Sequence, residues 1–209
     1  RAASALQIVN AIYHSVIPKP GNYIVFFPSY RYMETCAELY RRHYPAIPLH
    51  VQGAAMTPQE RQAFLERFET FGEMQLHFCV LGGMFAEGID FSGERLIGTI
   101  IIGVGLPMIN PESDFVKEHF DAQGKPGYHF AYTFPGMNKV LQAAGRVIRT
   151  ATDRGIIALL DDRFLREDYL ALFPREWDRY TIVDRRNVGK AVKEFWQRSG
   201  AEEEPTACP

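Results

Sequence analysis

Apolar positions change their period repeatedly along this chain, and each change marks a predicted element. Leu6, Val9, Ile12 and Tyr13 recur at three- and four-residue spacings, which predicts an amphipathic helix over 2–15, ended by Pro18, Pro20 and Gly21. Tyr23-Ile-Val-Phe-Phe27 is apolar without alternation, the pattern of a strand covered on both faces, and Pro28-Ser29 closes it. A helix over 31–43 and a short strand over 47–51 are expected next. Thr57-Pro58-Gln59-Glu60 supplies an N-cap, a proline at the first helical position and a glutamate at the third, so a helix starts there with Phe64, Leu65 and Phe68 turned inward.

Two further strand-like runs, 75–81 and 96–104, flank a glycine-bearing segment over 82–93. Residues 107–135 are less regular, hold four prolines, and open a short helix at Pro111 that runs to about Phe120. A helix is predicted over 136–150 with Val140, Leu141, Ala144, Val147 and Ile148 inward, followed by a strand over 155–160 and a helix to about 172. A turn and strand near 180–183 and a last helix over 188–198 complete one domain over 1–200, and the acidic tail 201–209 is expected to be disordered. Strands and helices alternating with short links predict an α/β fold, a parallel sheet with helices on both faces.

Composition narrows this picture without changing it. The chain has 209 residues, 46% hydrophobic and 13% aromatic, enough to bury roughly 70% of its surface without a disulfide or structural metal. Cys36, Cys79 and Cys208 form no CxxC pair, which argues against a zinc site and for a reducing cytoplasm. Apolar stretches reach only about ten residues and contain glycines, so no membrane span is expected. A net charge of −2 argues against coating nucleic acid by bulk charge but allows a local basic groove. The chain opens on Arg1 inside a helix-like pattern, without Met or signal peptide, and reads as part of a longer protein. His77 is expected buried and hydrogen-bonded, while Trp177, Tyr180 and Trp196 read first as packing for the last helix. Arg185-Arg186 with Lys190 and Lys193 reads first as a solvated helix start, with phosphate contact as the alternative.

Three segments carry candidate chemistry. On a helix, Gln142, Arg146 and Arg149 stand at i, i+4 and i+7, so an amide and two guanidiniums share a face that interleaves no acid. That face is either solvated or built for an anion, and a triphosphate in its transition state is where such arginines contribute most. Gly82-Gly-Met-Phe-Ala-Glu-Gly-Ile-Asp-Phe-Ser-Gly93 follows a buried strand, where ligands sit in parallel sheets. Its glycines admit close backbone approach and Glu87 and Asp90 bring carboxylates, although a tight loop capped by those carboxylates has the same pattern. Phe26-Phe-Pro-Ser-Tyr30 ends another strand, with Ser29 a plausible N-cap for the next helix.

Together these segments resemble the second motor domain of superfamily 2 helicases of the XPD/DinG family. Phe27-Pro-Ser-Tyr30 resembles that family's motif IV, Phe85-Ala-Glu-Gly-Ile-Asp-Phe-Ser-Gly93 its motif V, and Gln142-Ala-Ala-Gly-Arg-Val-Ile-Arg149 its motif VI. Asp153-Arg-Gly155 through Asp162-Arg-Phe164 continues that likeness, Gly105-Leu-Pro-Met108 falls where the family has a Leu-Pro turn, and the bacterial DinG-type branch fits best. The resemblance implies a RecA-like domain without its own P-loop that closes over ATP held by a partner domain. Arg146 and Arg149 are then arginine fingers, Gln142 contacts the nucleotide or couples it to the interface, Gly88, Asp90 and Glu87 belong to the cofactor-binding set with Gly88 and Asp90 linking nucleotide state to the grip on DNA, and Ser29, Tyr30 and Arg31 contact single-stranded DNA. It implies 5′→3′ movement on DNA by a cytoplasmic, monomeric protein that stays off membranes.

The P-loop, the magnesium box and the four-cysteine cluster site are absent from this chain. In the family it resembles these parts belong to the first motor domain, so the resemblance implies that ATP, Mg2+ and any iron–sulfur cluster fall mainly to the N-terminal motor domain of the same protein and that this chain alone is inactive. Asp161-Asp162 is read as part of a structural turn rather than a magnesium box. Two alternatives remain: a RecA-like regulatory or protein-interaction module, and a stand-alone Rossmann-like enzyme with Gly103-Val-Gly105 as its loop.

Overall fold

Strand β1 (Asn22–Phe27) has no exposed residue because it lies in the middle of the sheet with helices over both faces. In the computed structural model, which describes residues 2–85, 95–148 and 153–201, β1 pairs with β3 (Gln75–Val80) and β4 (Gly98–Ile102). Outside these lie β2 (Leu49–Val51) and β5 (Ile156–Leu160), giving the order β2-β3-β1-β4-β5 with every pairing parallel. Parallel neighbours need crossovers, and those crossovers supply the covering helices.

The alternation of side chains along β1 sorts two cores. Tyr23, Val25 and Phe27 pack with Val9 and Ile12 of α1 (Ala2–Val16) and Met33, Ala37 and Tyr40 of α2 (Tyr30–His43). On the other face, Ile24 and Phe26 join Phe64 of α3 (Pro58–Glu66) and Val140, Ala143 and Ala144 of α5 (Phe134–Ala144). Both faces being buried explains why β1 reads as unbroken hydrophobicity in the sequence. Trp196 of α7 (Val188–Ala201) is half-buried against the first core, and Trp177 against the second.

The expected capping box is present: Glu60 N donates to Thr57 Oγ1 and Thr57 N to the Glu60 carboxylate. Thr57→Ala is expected to lower stability by about 1 kcal/mol, read as a lower urea midpoint for this chain with an unchanged slope.

Several elements differ from the sequence expectation. The short helix at Pro111 is α4 (Pro111–Asp121), but the residues after it are more regular than expected, since a π-helical turn over His129–Thr133 leads straight into α5. The helix expected to reach 172 is a 3-10 turn over Asp162–Leu165 followed by the single turn α6 (Glu167–Leu170). Residues 180–183 form no strand, and Tyr180, Ile182 and Val183 are exposed. His77 is buried as expected, but neither ring nitrogen has a hydrogen-bond partner. Cys36 and Cys79 are free and buried, and burial raises both thiols, Cys36 to about 11. Among the described residues no helix is long and apolar enough to cross a membrane. The tail, 202–209, lies outside the described residues.

Candidate functional site

The carboxyl ends of β1, β2 and β3 bring three chain segments into contact. After β1, Ser29 is the N-cap of α2, its hydroxyl accepting from Tyr32 N at 3.3 Å, and Tyr30 opens the helix half-buried while Arg31 points to solvent. After β2, buried Gln52 donates from Nε2 to Tyr30 Oη at 2.8 Å and accepts from Val80 N at its Oε1 at 2.9 Å. After β3, the chain turns at Gly82 and Gly83, with Gly82 in the left-handed region at φ +72°. A Cβ on Gly82 would stand 3.1 Å from Lys139 Cδ, so the lysine stem of α5 lies across the turn. Phe85, fully buried with its ring 4.5 Å from that of Phe64, fixes the start of the next segment. Burial, with the Cys79 thiol a smaller contributor, pushes the Tyr30 phenol up, so it is a neutral hydroxyl at physiological pH. Glu87, Gly88 and Asp90 lie outside the described residues.

At the ends of β1, β4 and β5 a cavity of about 330 Å³ opens between Pro28, Tyr32, Gly103, Leu106, Asp161 and Arg163. Asp161 is committed to the turn itself: it accepts from Arg163 N and Nε, each at 2.9 Å, and from Nη2 at 2.8 Å. Burial works against the Asp161 carboxylate, but these bonds outweigh it and hold its pKa below the usual range. Phe164 beneath it is buried. Asp161-Asp162-Arg163-Phe164 is thus a structural turn. Among the described residues no three His, Cys, Asp or Glu side chains converge on a metal position.

The second set of candidate residues sits elsewhere, at the far end of α5. Its first turn rests on backbone: a Cβ on Gly136 would lie 2.6 Å from Val104 O, and one on Gly105 2.7 Å from Gly136 O. The helix is eleven residues long, about 16 Å along its axis, and stops at Ala144 rather than continuing to 150. Gly145 is the C-cap, and the next two amides bond three residues back, Arg146 N to Ala143 O at 3.4 Å and Val147 N to Ala144 O at 3.2 Å. Gln142 is exposed on the last helical turn, and Arg146 is half-buried in the tightened turn with interaction partners of its own. The expected helical spacing of Gln142, Arg146 and Arg149 is therefore broken after Ala144, and Ile148, expected inward, is exposed. Val147 keeps its inward place because Gly155 has no side chain; a Cβ there would meet Val147 Cγ1 and stand 2.8 Å from Ile97 O. Arg149 lies outside the described residues.

The structure thus joins Tyr30 to Gln52 and the Gly82-Gly83 turn, and sets Arg146 apart, by the entry into β4 and β5. Gln52 is the residue that sequence reading missed. The available signal was position: it is the first residue after a predicted strand, as Pro28 and Gly82 are.

A profile of the helicase C-terminal domain matches residues 12–180. The chain belongs to that helicase family. A probable ATP-dependent helicase of Methanocaldococcus jannaschii is 30% identical over 193 residues, covering 84% of this chain and 29% of that protein. The 3′-5′ exonuclease DinG of Staphylococcus saprophyticus is 28% identical over 181 residues, 83% of this chain and 18% of its own. The human regulator of telomere elongation helicase 1 is 30% identical over 201 residues, 85% and 16% respectively. This helicase domain therefore spans less than a third of each of these curated relatives. A solved structure of apo XPD superposes at a TM-score of 0.66 with 19% identity, over 82% of this chain and 34% of that one, which establishes the shared RecA-like fold.

Proposed function

We propose that this chain is the second motor domain of an ATP-dependent DNA helicase of XPD/DinG type. The observation that carries the reading is α5, whose first turn rests on Gly105 through Gly136, with a strand-edge cluster near its start and, at its finish, the Arg146 turn in which Val147 rests on Gly155. A helicase needs two such places in one rigid body, because a change at the nucleotide must move the grip on the nucleic acid. The family match and the names of the relatives support the same assignment.

In this reading Ser29, Tyr30 and Arg31 contact the backbone of single-stranded DNA. Arg146 and Arg149 meet the triphosphate as its charge develops, and Gln142 contacts the nucleotide from the last turn of α5. Gly88, Asp90 and Glu87 belong to the cofactor-binding set, and Gly88 and Asp90 link the two sites. ATP is held mainly by the N-terminal motor domain of the same protein, where Mg2+ neutralises phosphate charge when bound; any iron–sulfur cluster belongs there too. The expected polarity is 5′→3′, and the expected setting is a monomer serving DNA repair in the bacterial cytoplasm. A regulatory module would need neither the seated arginine turn nor the clustered strand ends.

The test is ATP turnover by the complete protein with and without single-stranded DNA. Turnover is expected to rise at least about tenfold with the strand, in the range of one decade per 1.4 kcal/mol of barrier, and to be undetectable with this chain alone. Turnover by this chain alone, or indifference of the complete protein to DNA, would refute the assignment.

A further inference from the structure

Tyr30 and Gln52 meet in a way that fixes the direction of one proton. Gln52 is 2% exposed, so both ends of its amide need partners. One end faces the Val80 N–H at 2.9 Å and must be the carbonyl oxygen Oε1, since the reverse placement would set two donors against each other. The other end is therefore Nε2, which donates to Tyr30 Oη at 2.8 Å. The Gln52 backbone holds the residue in place, its N–H donating to Phe78 O at 2.9 Å. Gly83 leaves room for the amide, because a Cβ there would stand 3.4 Å from Nε2 and 3.0 Å from Val80 O. With its oxygen accepting from Gln52, the Tyr30 hydroxyl has its own hydrogen to place, and among the described residues it donates to no protein acceptor.

We propose that Gln52 is a positioning residue that turns the Tyr30 hydroxyl hydrogen outward, where it donates to a phosphate oxygen of single-stranded nucleic acid. The proposal rests on the assignment of Tyr30 to the strand-contacting edge. A hydroxyl whose oxygen already accepts a hydrogen bond is the stronger donor, and this donor is neutral. Its contribution to binding therefore differs from that of a basic side chain, which adds to the salt dependence as counterions are released.

The decisive variant is Gln52→Glu in the complete protein. It keeps an oxygen for Val80 N–H, but the second oxygen bears no hydrogen, so Tyr30 must donate inward. Binding of a fluorescent oligothymidylate is expected to weaken about 5- to 10-fold in Gln52→Glu and equally in Tyr30→Phe, the range for one hydrogen bond. The double variant is expected to be no weaker than Gln52→Glu alone, with the slope of log affinity against log salt unchanged in Tyr30→Phe, which alters no charge. A flattened slope would mean that Arg31 and the edge had been displaced as a whole, and would overturn the positioning role. Tyr30→Phe weakening alone, or additive losses in the double variant, would overturn it as well. Unaltered binding in every variant, while the complete protein still shows DNA-stimulated turnover, would remove Tyr30 from the strand and leave the motor assignment standing.

Discussion

Alanine at Arg146 or at Arg149 in the complete protein is expected to lower single-strand-stimulated ATP turnover by about 10³-fold or more, the scale of an arginine that meets a phosphoryl transition state. The loss should fall on kcat more than on the KM for ATP, because the charge that the guanidinium meets is greatest in the transition state. Arg146→Lys is expected to restore little, since an ammonium lacks the planar fork that holds two phosphoryl oxygens at once. The backbone at Arg146 is held by the turn bonds to Ala143 and Ala144 and by Val147 seated on Gly155, and its side chain has interaction partners of its own. The melting temperature of the alanine variant, read beside its turnover, separates lost chemistry from lost fold. Turnover within about tenfold of wild type would show that this turn does not face the nucleotide.

That fixed turn also explains why the sequence misleads at this point. The apolar period through Val147 and Ile148 argues for helix, while Gly145 is a stop signal of the kind that ends helices. The stop wins: α5 ends at Ala144, and Val147 is buried against Gly155 from outside the helix. The central strands and their capping residues were legible, since a parallel sheet buried on both faces writes itself as unbroken apolar runs and Ser29 and Thr57 act on their immediate neighbours. Residues 180–183 have strand-like composition, yet composition cannot supply a neighbour to pair with. The likeness of the motifs was legible because it depends on residue identity alone. The separation of Tyr30 from Arg146 was not, because it depends on α5 crossing back along the sheet. Gln52 carries no motif, and only the pairing of β2 with β3 puts it beside Tyr30 and Val80.

His77→Phe is expected to stabilise this chain at pH 7 by about 1–3 kcal/mol, the cost of polar groups buried without partners, or a rise of about 2–4 °C per kcal/mol at this size. The ring lies on β3 beneath α3, stacked at 3.7 Å on Phe68 and edge-on to Phe64 at 5.5 Å, surroundings that a phenyl ring suits better than an imidazole. His50 of the paired strand β2 lies 5.0 Å away, its ring bonded to Gln75 Oε1, and Arg67 adds positive charge nearby. Burial first, and the repulsion of His50 and Arg67 second, hold the His77 pKa well below 6.5. Between that lowered value and about 6.5 the unfolded chain binds a proton that the folded chain refuses, so stability falls as pH falls, by about 1.4 kcal/mol per unit, and is level above about 6.5. Wild type should therefore lose stability to this group as the pH is taken below about 6.5, for as long as the pH stays above the lowered His77 value. The variant should keep only the smaller slope of the same sign from His50, whose pKa burial also lowers. Urea midpoints of the two proteins should diverge on acidification, and a variant less stable than wild type at pH 7 would mean that an imidazole nitrogen finds a partner in solution.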